Sequence, residues 1–182
     1  VRKSGSGKFM SSFYVDYGHK SIADCGSTTI FIENVSLLAA KAIQDWPLYS
    51  GQETSTRYID MAKRDLVDPS ETDLSNTILN EWMSFYTYNQ ERVAKTVRER
   101  HPMVADENPD TYAKAVKART FDILRGFLPA GITTQLSWHT NLRQAGDHLS
   151  WLKNHPSSEI SQLARTMSAC LHDKYPSSGF SS

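Results

Sequence analysis

The sequence predicts an α+β chain in which a small antiparallel sheet packs with several helices. Three observations predict it. "STTIFIE" (residues 27–33) and "ITTQLSWHT" (132–140) are short runs rich in β-branched and aromatic residues, the pattern of strands. Five longer stretches carry apolar residues at helical spacing. Strands and helices are mixed rather than regularly alternating, which argues against a doubly wound parallel sheet.

Taken in order, the opening "VRKSGSGKF" is basic but leads into no hydrophobic signal core. It reads as a loop or a truncated start, and argues against secretion. After the first strand, "NVSLLAAKAIQDW" places Val35, Leu38, Ala39, Ala42, Ile43 and Trp46 at helical spacing. Asn34 is its expected cap and Pro47 its stop. "YSGQETSTRYID" (49–60) has no hydrophobic periodicity and reads as a loop. A long helix is expected from Asp73 or Ser75 to about Arg100, with Ile78, Leu79, Trp82, Tyr86, Val93 and Val97 on one side. Glu91, Arg92, Lys95 and Arg98 belong to its solvated side. Asn108 followed by Pro109 opens another helix that closes near Gly126. Past the second strand a helix begins near Asn141. The last helix aligns Ile160, Leu163, Ala164, Met167 and Leu171 as a core stripe, and "PSSGFSS" is a frayed tail.

The bulk composition narrows the function classes. At 182 residues, 39% hydrophobic and 22% charged, the chain is expected to be a single domain over residues 1–182. Twenty basic residues balance twenty acidic ones, so no global field points to nucleic acid or to an anionic membrane. Any anion must be held by a local cluster. No apolar run reaches membrane-spanning length. Cys25 and Cys170 form neither a metal nor a disulfide pattern, which suits a reducing cytoplasm. The six histidines include no pair at zinc-ligand spacing, so no metal site is expected.

Four polar constellations carry possible chemistry. "GHKS" (18–21) offers His19 and Ser21 as donors beside a permissive glycine, or is simply a turn. In "GQETSTR" (51–57), Arg57 presents a forked guanidinium suited to phosphate, with Ser55 and Thr56 as short-range donors. Gln52 and Glu53 have the donors and acceptors to read a base edge. The plainer reading is a surface loop with a salt bridge. Arg125, at a helix end, either complements the dipole or binds an anion. In "HTNLR" (139–143), Asn141 can cap a helix while Arg143 and free amides hold an anion.

In order along the chain, these segments resemble the flavin-dependent thymidylate synthase family from about Gly18 to Ala164. The family pattern RHRxxSxNxxSxR is occupied here by "DWPLYSGQETSTR": Ser50, Ser55 and Arg57 match, and Gln52 stands where asparagine is usual. "GHKSIAD" resembles the family's flavin segment Gly-His-x-Ser-x-x-Glu, with Asp24 as the acid. "LRGFLPAG" and "TNLR" resemble its Arg-x-x-Leu-Pro segment and the Asn-x-Arg that follows.

The resemblance implies the family's fold and a uridine-nucleotide site made by Gln52, Glu53, Thr54, Ser55, Thr56, Arg57 and Arg125, with Arg57 and Arg125 near the phosphate. It implies a flavin site at His19, Ser21, Asn141 and Arg143, with Asp24 and Asp147 counted to it. The implied cofactors are FAD, NADPH and methylene-tetrahydrofolate, and the implied assembly is a homotetramer. The aromatics of the long helix, Trp82, Phe85, Tyr86 and Tyr88, would suit an interface or an internal core. The implied activity is methylation at C5 of the uracil base of UMP or dUMP, with no covalent nucleophile assigned. Neither cysteine lies in a matching motif, and Cys25 suits a small core position.

The departures point to a side branch. Asp45, Trp46 and Pro47 replace Arg-His-Arg, Leu152 replaces a substrate-contacting arginine with Lys153 adjacent, and Cys25 replaces a histidine. Asp45 is expected to pair with Lys41, one helical turn back. The branch suggested is the UMP methylase of peptidyl-nucleoside antibiotic pathways such as polyoxin. The alternatives are a non-catalytic nucleotide-binding subunit and a housekeeping synthase specific for dUMP.

Overall fold

The computed structural model describes residues 5–10, 12 and 20–178. It is α+β, with a small three-stranded antiparallel sheet and about six helices. The chain divides into two compact units. One holds Val1–Glu33, Ala39–Gln52 and Gln135–Ser182; the other holds Asn34–Leu38 and Glu53–Thr134.

Most of the sheet falls in the first unit. The strands are β1 (Ser27–Ser36), β2 (Ser50–Glu53) and β3 (Thr133–Asn141), in the order β1-β3-β2, with residues 34–36, 53 and 133–134 counted to the second unit. From Leu136 onward β3 alternates strictly: Leu136, Trp138 and Thr140 are buried, while Gln135 and His139 face water. That period of two is what the sequence run promised. On the exposed face the Thr29 hydroxyl meets His139 Nδ1 at 3.0 Å. β2 is a correction to the sequence reading, which left this stretch as loop. It is only four residues long and is held by partners distant in sequence: Tyr49 donates its hydroxyl to Ser137 O at 2.9 Å, and Gln52 N donates to Ser137 Oγ at 3.3 Å. Gly51 permits this approach, because a Cβ there would lie 1.9 Å from Ser137 O.

The unit's helices are α1 (Gly5–Met10), α2 (Leu37–Gln44, whose first two residues count to the second unit), α5 (Leu142–Leu152) and α6 (Ser158–Lys174). α1 lies where a loop was expected. α2 also departs from expectation. It starts at Leu37, and Asn34 sits within β1 at φ 55°, a left-handed conformation that asparagine tolerates better than most residues. Its end comes at Gln44, before Pro47. α5 buries Leu142, Ala145, His148, Leu149 and Leu152, and α6 packs on it through Ile160, Ala164, Met167 and Leu171. The tail is not wholly frayed: Ser178 is buried and its hydroxyl donates to Tyr175 O.

The second unit centres on α3 (Asp73–Arg100) packed against α4 (Pro109–Leu124). Both begin as the caps dictate. Thr72 and Ser75 form a reciprocal capping box, and Asn108 Oδ1 accepts from Asp110 N and Thr111 N. The core is Met61, Tyr86, Leu124 and Ile132, with Leu37, Leu66, Met83 and Val93 packed around it. Buried Tyr86 keeps a partner, since its hydroxyl oxygen accepts from Met61 N at 3.4 Å. Burial raises its pKa above the usual phenol value. Tyr86 therefore belongs to the internal core, while Trp82, Phe85 and Tyr88 are exposed. Among the described residues no helix is long and apolar enough to cross a membrane, and no group of three or more His, Cys, Asp or Glu residues could hold a metal.

Candidate functional site

The nucleotide-assigned residues of the second unit lie on a turn after β2 and at the end of α4. The turn is shaped by Ser55, whose side-chain oxygen accepts from Arg57 N at 3.4 Å and whose carbonyl accepts from Tyr58 N at 3.3 Å. Arg57 Nε then lies 3.7 Å from Asp122 Oδ1. Arg125, in the short 3-10 helix Arg125–Phe127, places Nη2 2.9 Å from the same oxygen. Arg119 Nη1 lies 3.3 Å from Asp122 Oδ2. Three guanidiniums thus surround one carboxylate, a local excess of two positive charges on a chain whose formal net charge is zero.

The carboxylate is a quarter exposed and the arginines roughly half exposed, so these pairs add little stability. Their consequence is geometric: Asp122 holds three forked donors near one point, where a dianion would find matching charge. Glu53, Thr54 and Thr56 are half-buried on the same segment, and Ser55 is exposed. Gln52 falls in the first unit.

Sequence reasoning missed Arg119 and Asp122. The signal was present, because Arg119, Asp122 and Arg125 follow one another at intervals of three, which puts them on one helix face.

The flavin-assigned residues fall in the first unit. His19 lies outside the described residues. Ser21 and Asp24 belong to a 3-10 helix, Lys20–Cys25, with Ser21 exposed. Arg143 forks onto Asp24 through Nε–Oδ1 at 2.8 Å and Nη2–Oδ2 at 2.7 Å. Asn141 caps α5, its Oδ1 accepting from Gln144 N at 2.8 Å. Leu142 N donates to Gly26 O at 2.9 Å, which ties the 3-10 segment to the first turn of α5. Asp24, Asn141 and Arg143 are therefore gathered at one helix N-terminus, where the dipole favours negative charge. Asp147 is exposed one turn further along α5. The Asn141 amide N–H and the Arg143 guanidinium, fixed on Asp24, are donors of the kind a phosphate group would take.

The departures have structural causes. Lys41 of α2 pairs with Asp45 as expected, so the acid introduced just past the helix is neutralised locally. Trp46 donates its indole N–H to Gln144 Oε1 at 2.9 Å and stacks on His148. Leu152 is fully buried core, and Lys153 is half-buried beside it. Cys25 is exposed, contrary to the expectation of a core position.

The cavities between α3 and α4 are lined by none of the nucleotide-assigned residues.

Comparison with known proteins adds the family. A family model described as "Thymidylate synthase complementing protein" matches residues 2–177. A "UPF0159 protein" of Chlamydia pneumoniae is 26% identical over 160 residues, covering 81% of this chain and 30% of that protein. Another, of Chlamydia muridarum (strain MoPn / Nigg), is 28% identical over 140 residues, covering 70% of this chain and 26% of that protein. The chain thus spans less than a third of the length of these curated relatives. The family match runs through both residue clusters and nearly every element, and it carries the assignment: this chain belongs to the thymidylate synthase complementing protein family.

Proposed function

We propose that the chain is a flavin-dependent uridylate C5-methyltransferase of the thymidylate synthase type, with the family's flavin-dependent fold. It takes UMP and dUMP, and uses methylene-tetrahydrofolate as carbon donor and NADPH as reductant. It works as a homotetramer in the cytoplasm, where its exposed Cys25 and Cys170 stay reduced. The observation that carries the reading is the convergence of Arg57 and Arg125, 68 positions apart, on the single carboxylate of Asp122. A folding role explains it poorly, because half-exposed ion pairs contribute about 0–1 kcal/mol.

Uracil C5 is a weak nucleophile, and no residue of this chain is assigned as a covalent nucleophile for attack on C6. When bound and reduced, the flavin supplies the hydride that completes the methyl group. The chain's own work is binding, orientation and charge placement. Arg57 and Arg125 hold the phosphate, while Ser55 and Thr56 shape the turn that presents Arg57. Ser21, Asn141 and Arg143 hold the flavin dinucleotide at the α5 N-terminus.

Two measurements test this. The purified protein should absorb as a flavoprotein or take up added FAD; failure to do either removes the cofactor and with it the reaction. In calorimetry with uridylate, Arg57→Ala and Arg125→Ala should each weaken binding about tenfold or more, the loss expected for one charge-assisted bond. Unchanged affinity in both variants would move the nucleotide site elsewhere.

A further inference from the structure

The α3–α4 pair carries a second concentration of positive charge, apart from Arg57 and Arg125. A cavity of about 390 Å³ is lined by Arg92, Arg100 and His101 from α3 and its C-cap and by Arg119 from α4. Its walls also include Val93, Val97 and Ile123, and no carboxylate lines it. The acids of this stretch of α3 are engaged elsewhere: Glu91 accepts from Arg98 at 2.8 and 3.1 Å, and Glu99 lies 3.9 Å from Lys95. Among the described residues neither Arg92 nor Arg100 has an ion-pair partner. The Arg92 guanidinium lies 5.6 Å from the Tyr88 ring centroid, a contact that orients a cation without neutralising it.

Helix-end complementarity accounts for part of this pattern, since basic residues are favoured in the last turn of a helix. It covers Arg98 and Arg100. It does not cover Arg92, two turns earlier, or Arg119, which comes from another helix. The two arginines of α3 are eight residues apart and so separated by about 12 Å along the axis. A lone phosphate would be served by one end only. The volume falls within the range of small-molecule sites, and the floor formed by buried Val97 and half-buried Val93 gives a ligand body something apolar to rest on.

We infer that this groove binds an elongated small polyanion whose negative groups lie along Arg92, Arg119 and Arg100. The shared chemistry is a row of anions, and it has two sources, a phosphate chain or a run of carboxylates. The inference does not rest on the proposed methyltransferase activity. It does touch the same unit, because Arg119 also contacts Asp122 and thereby adjoins the arginine cluster described above.

The test is calorimetric titration of the full chain, free of nucleotide and flavin, with inorganic tripolyphosphate and separately with a tri-glutamate peptide. One-to-one binding of at least one probe is expected, tighter than that of inorganic orthophosphate. Which probe binds identifies the source. Arg92→Ala and Arg100→Ala should each weaken it about tenfold, whereas the double variant Arg57→Ala/Arg125→Ala should leave it nearly unchanged. Both groove arginines are exposed, and circular dichroism checks that their variants stay folded. Binding of neither probe overturns the inference. So does equal binding of orthophosphate, or a loss confined to the Arg57/Arg125 variant. A tenfold loss in Lys174→Ala, an exposed cation at the far end of α6, would also overturn it by showing diffuse attraction rather than a site.

Discussion

The Trp46 indole lies against the His148 imidazole, with ring centroids 4.5 Å apart and planes inclined by 28°. Trp138 meets the same imidazole edge-on at 5.4 Å, and Trp151 stacks at 6.0 Å. His148 is fully buried, and its Nε2 is 3.1 Å from Ile43 O. A carbonyl only accepts, so Nε2 carries a proton, and burial disfavours a second proton on Nδ1. The segment that replaces the family's Arg-His-Arg is thus anchored onto α5 by a stack and by the Trp46–Gln144 hydrogen bond.

Burial lowers the His148 pKa below its ordinary 6.5, and the hydrogen bonds to Ile43 and Ala42 oppose this more weakly. The sign follows from proton counting. Below pH 6.5 the unfolded chain takes up a proton at this site that the folded chain refuses. The stability contributed by neutral His148 is therefore complete above pH 6.5 and is lost as pH falls toward the depressed folded value, by at most about 1.4 kcal/mol per pH unit. Urea unfolding across that range should show a steeper acid decline in the wild type than in His148→Gln. Parallel curves would mean that His148 titrates alike in both states.

Asp122 keeps three arginines within reach of one another. Asp122→Asn leaves their mutual repulsion uncompensated. All are partly exposed, so the cost should be modest, on the order of 1 kcal/mol at low ionic strength. Screening should recover most of it, since the Debye length shrinks from about 30 Å at 0.01 M to about 10 Å at 0.1 M. Thermal unfolding of both proteins at the two salt concentrations checks this. A deficit that ignores salt would assign Asp122 a packing role instead.

The elements that were legible in the sequence are those specified locally. Asn108-Pro109 and Asn141 open α4 and α5 because an oxygen-bearing side chain caps the free amides there. β3 reads correctly because its inward residues alternate. β2 was not legible, because four residues without alternation become a strand only when Ser137, distant in sequence, supplies the partner. Asn34 was misread for a related reason: as a cap and as a left-handed strand residue it has the same identity. Motifs singled out Arg57, Arg125, Asn141 and Arg143; the structure places the first two on Asp122 and the last two at the start of α5. The spacing of Arg119, Asp122 and Arg125 puts Asp122 on their helix face, but that Arg57 joins them appears only once another segment arrives.

Leu74, Ile78, Trp82 and Phe85 recur at intervals of four, four and three, so they share one face of α3, and all four are exposed. Phe127 extends the face, packing on Phe85 at 5.2 Å. A contiguous apolar stripe of this kind facing water is the signature of an interface. A closed assembly of identical chains is expected to cover it, giving a tetramer mass by light scattering at micromolar concentration. Ile78→Asp/Trp82→Glu should reduce that mass without changing the far-ultraviolet circular dichroism. A wild-type monomer would refute the assembly.

The last expectation concerns substrate choice. The family's Arg-His-Arg segment brings positive charge to flavin and nucleotide, whereas here Asp45 is paired with Lys41 and Trp46 is engaged with His148 and Gln144. Neither side chain is available as a long cationic arm, and Leu152, in place of a further arginine, is core. On the proposed reading, the phosphate is left to Arg57 and Arg125, and the altered segment is expected to select less strictly against a ribose. UMP should then be methylated at a rate comparable to or above that of dUMP. Side-by-side turnover with methylene-tetrahydrofolate, NADPH and FAD decides it. Turnover of dUMP alone would make the chain an ordinary thymidylate-forming enzyme despite the altered segment. Turnover of neither, with flavin bound and uridylate affinity dependent on Arg57, would leave a nucleotide-binding subunit without catalysis. Restoring charge through Asp45→Arg separates the causes: if repulsion or missing charge limits dUMP, this variant should raise dUMP affinity severalfold and leave UMP less improved.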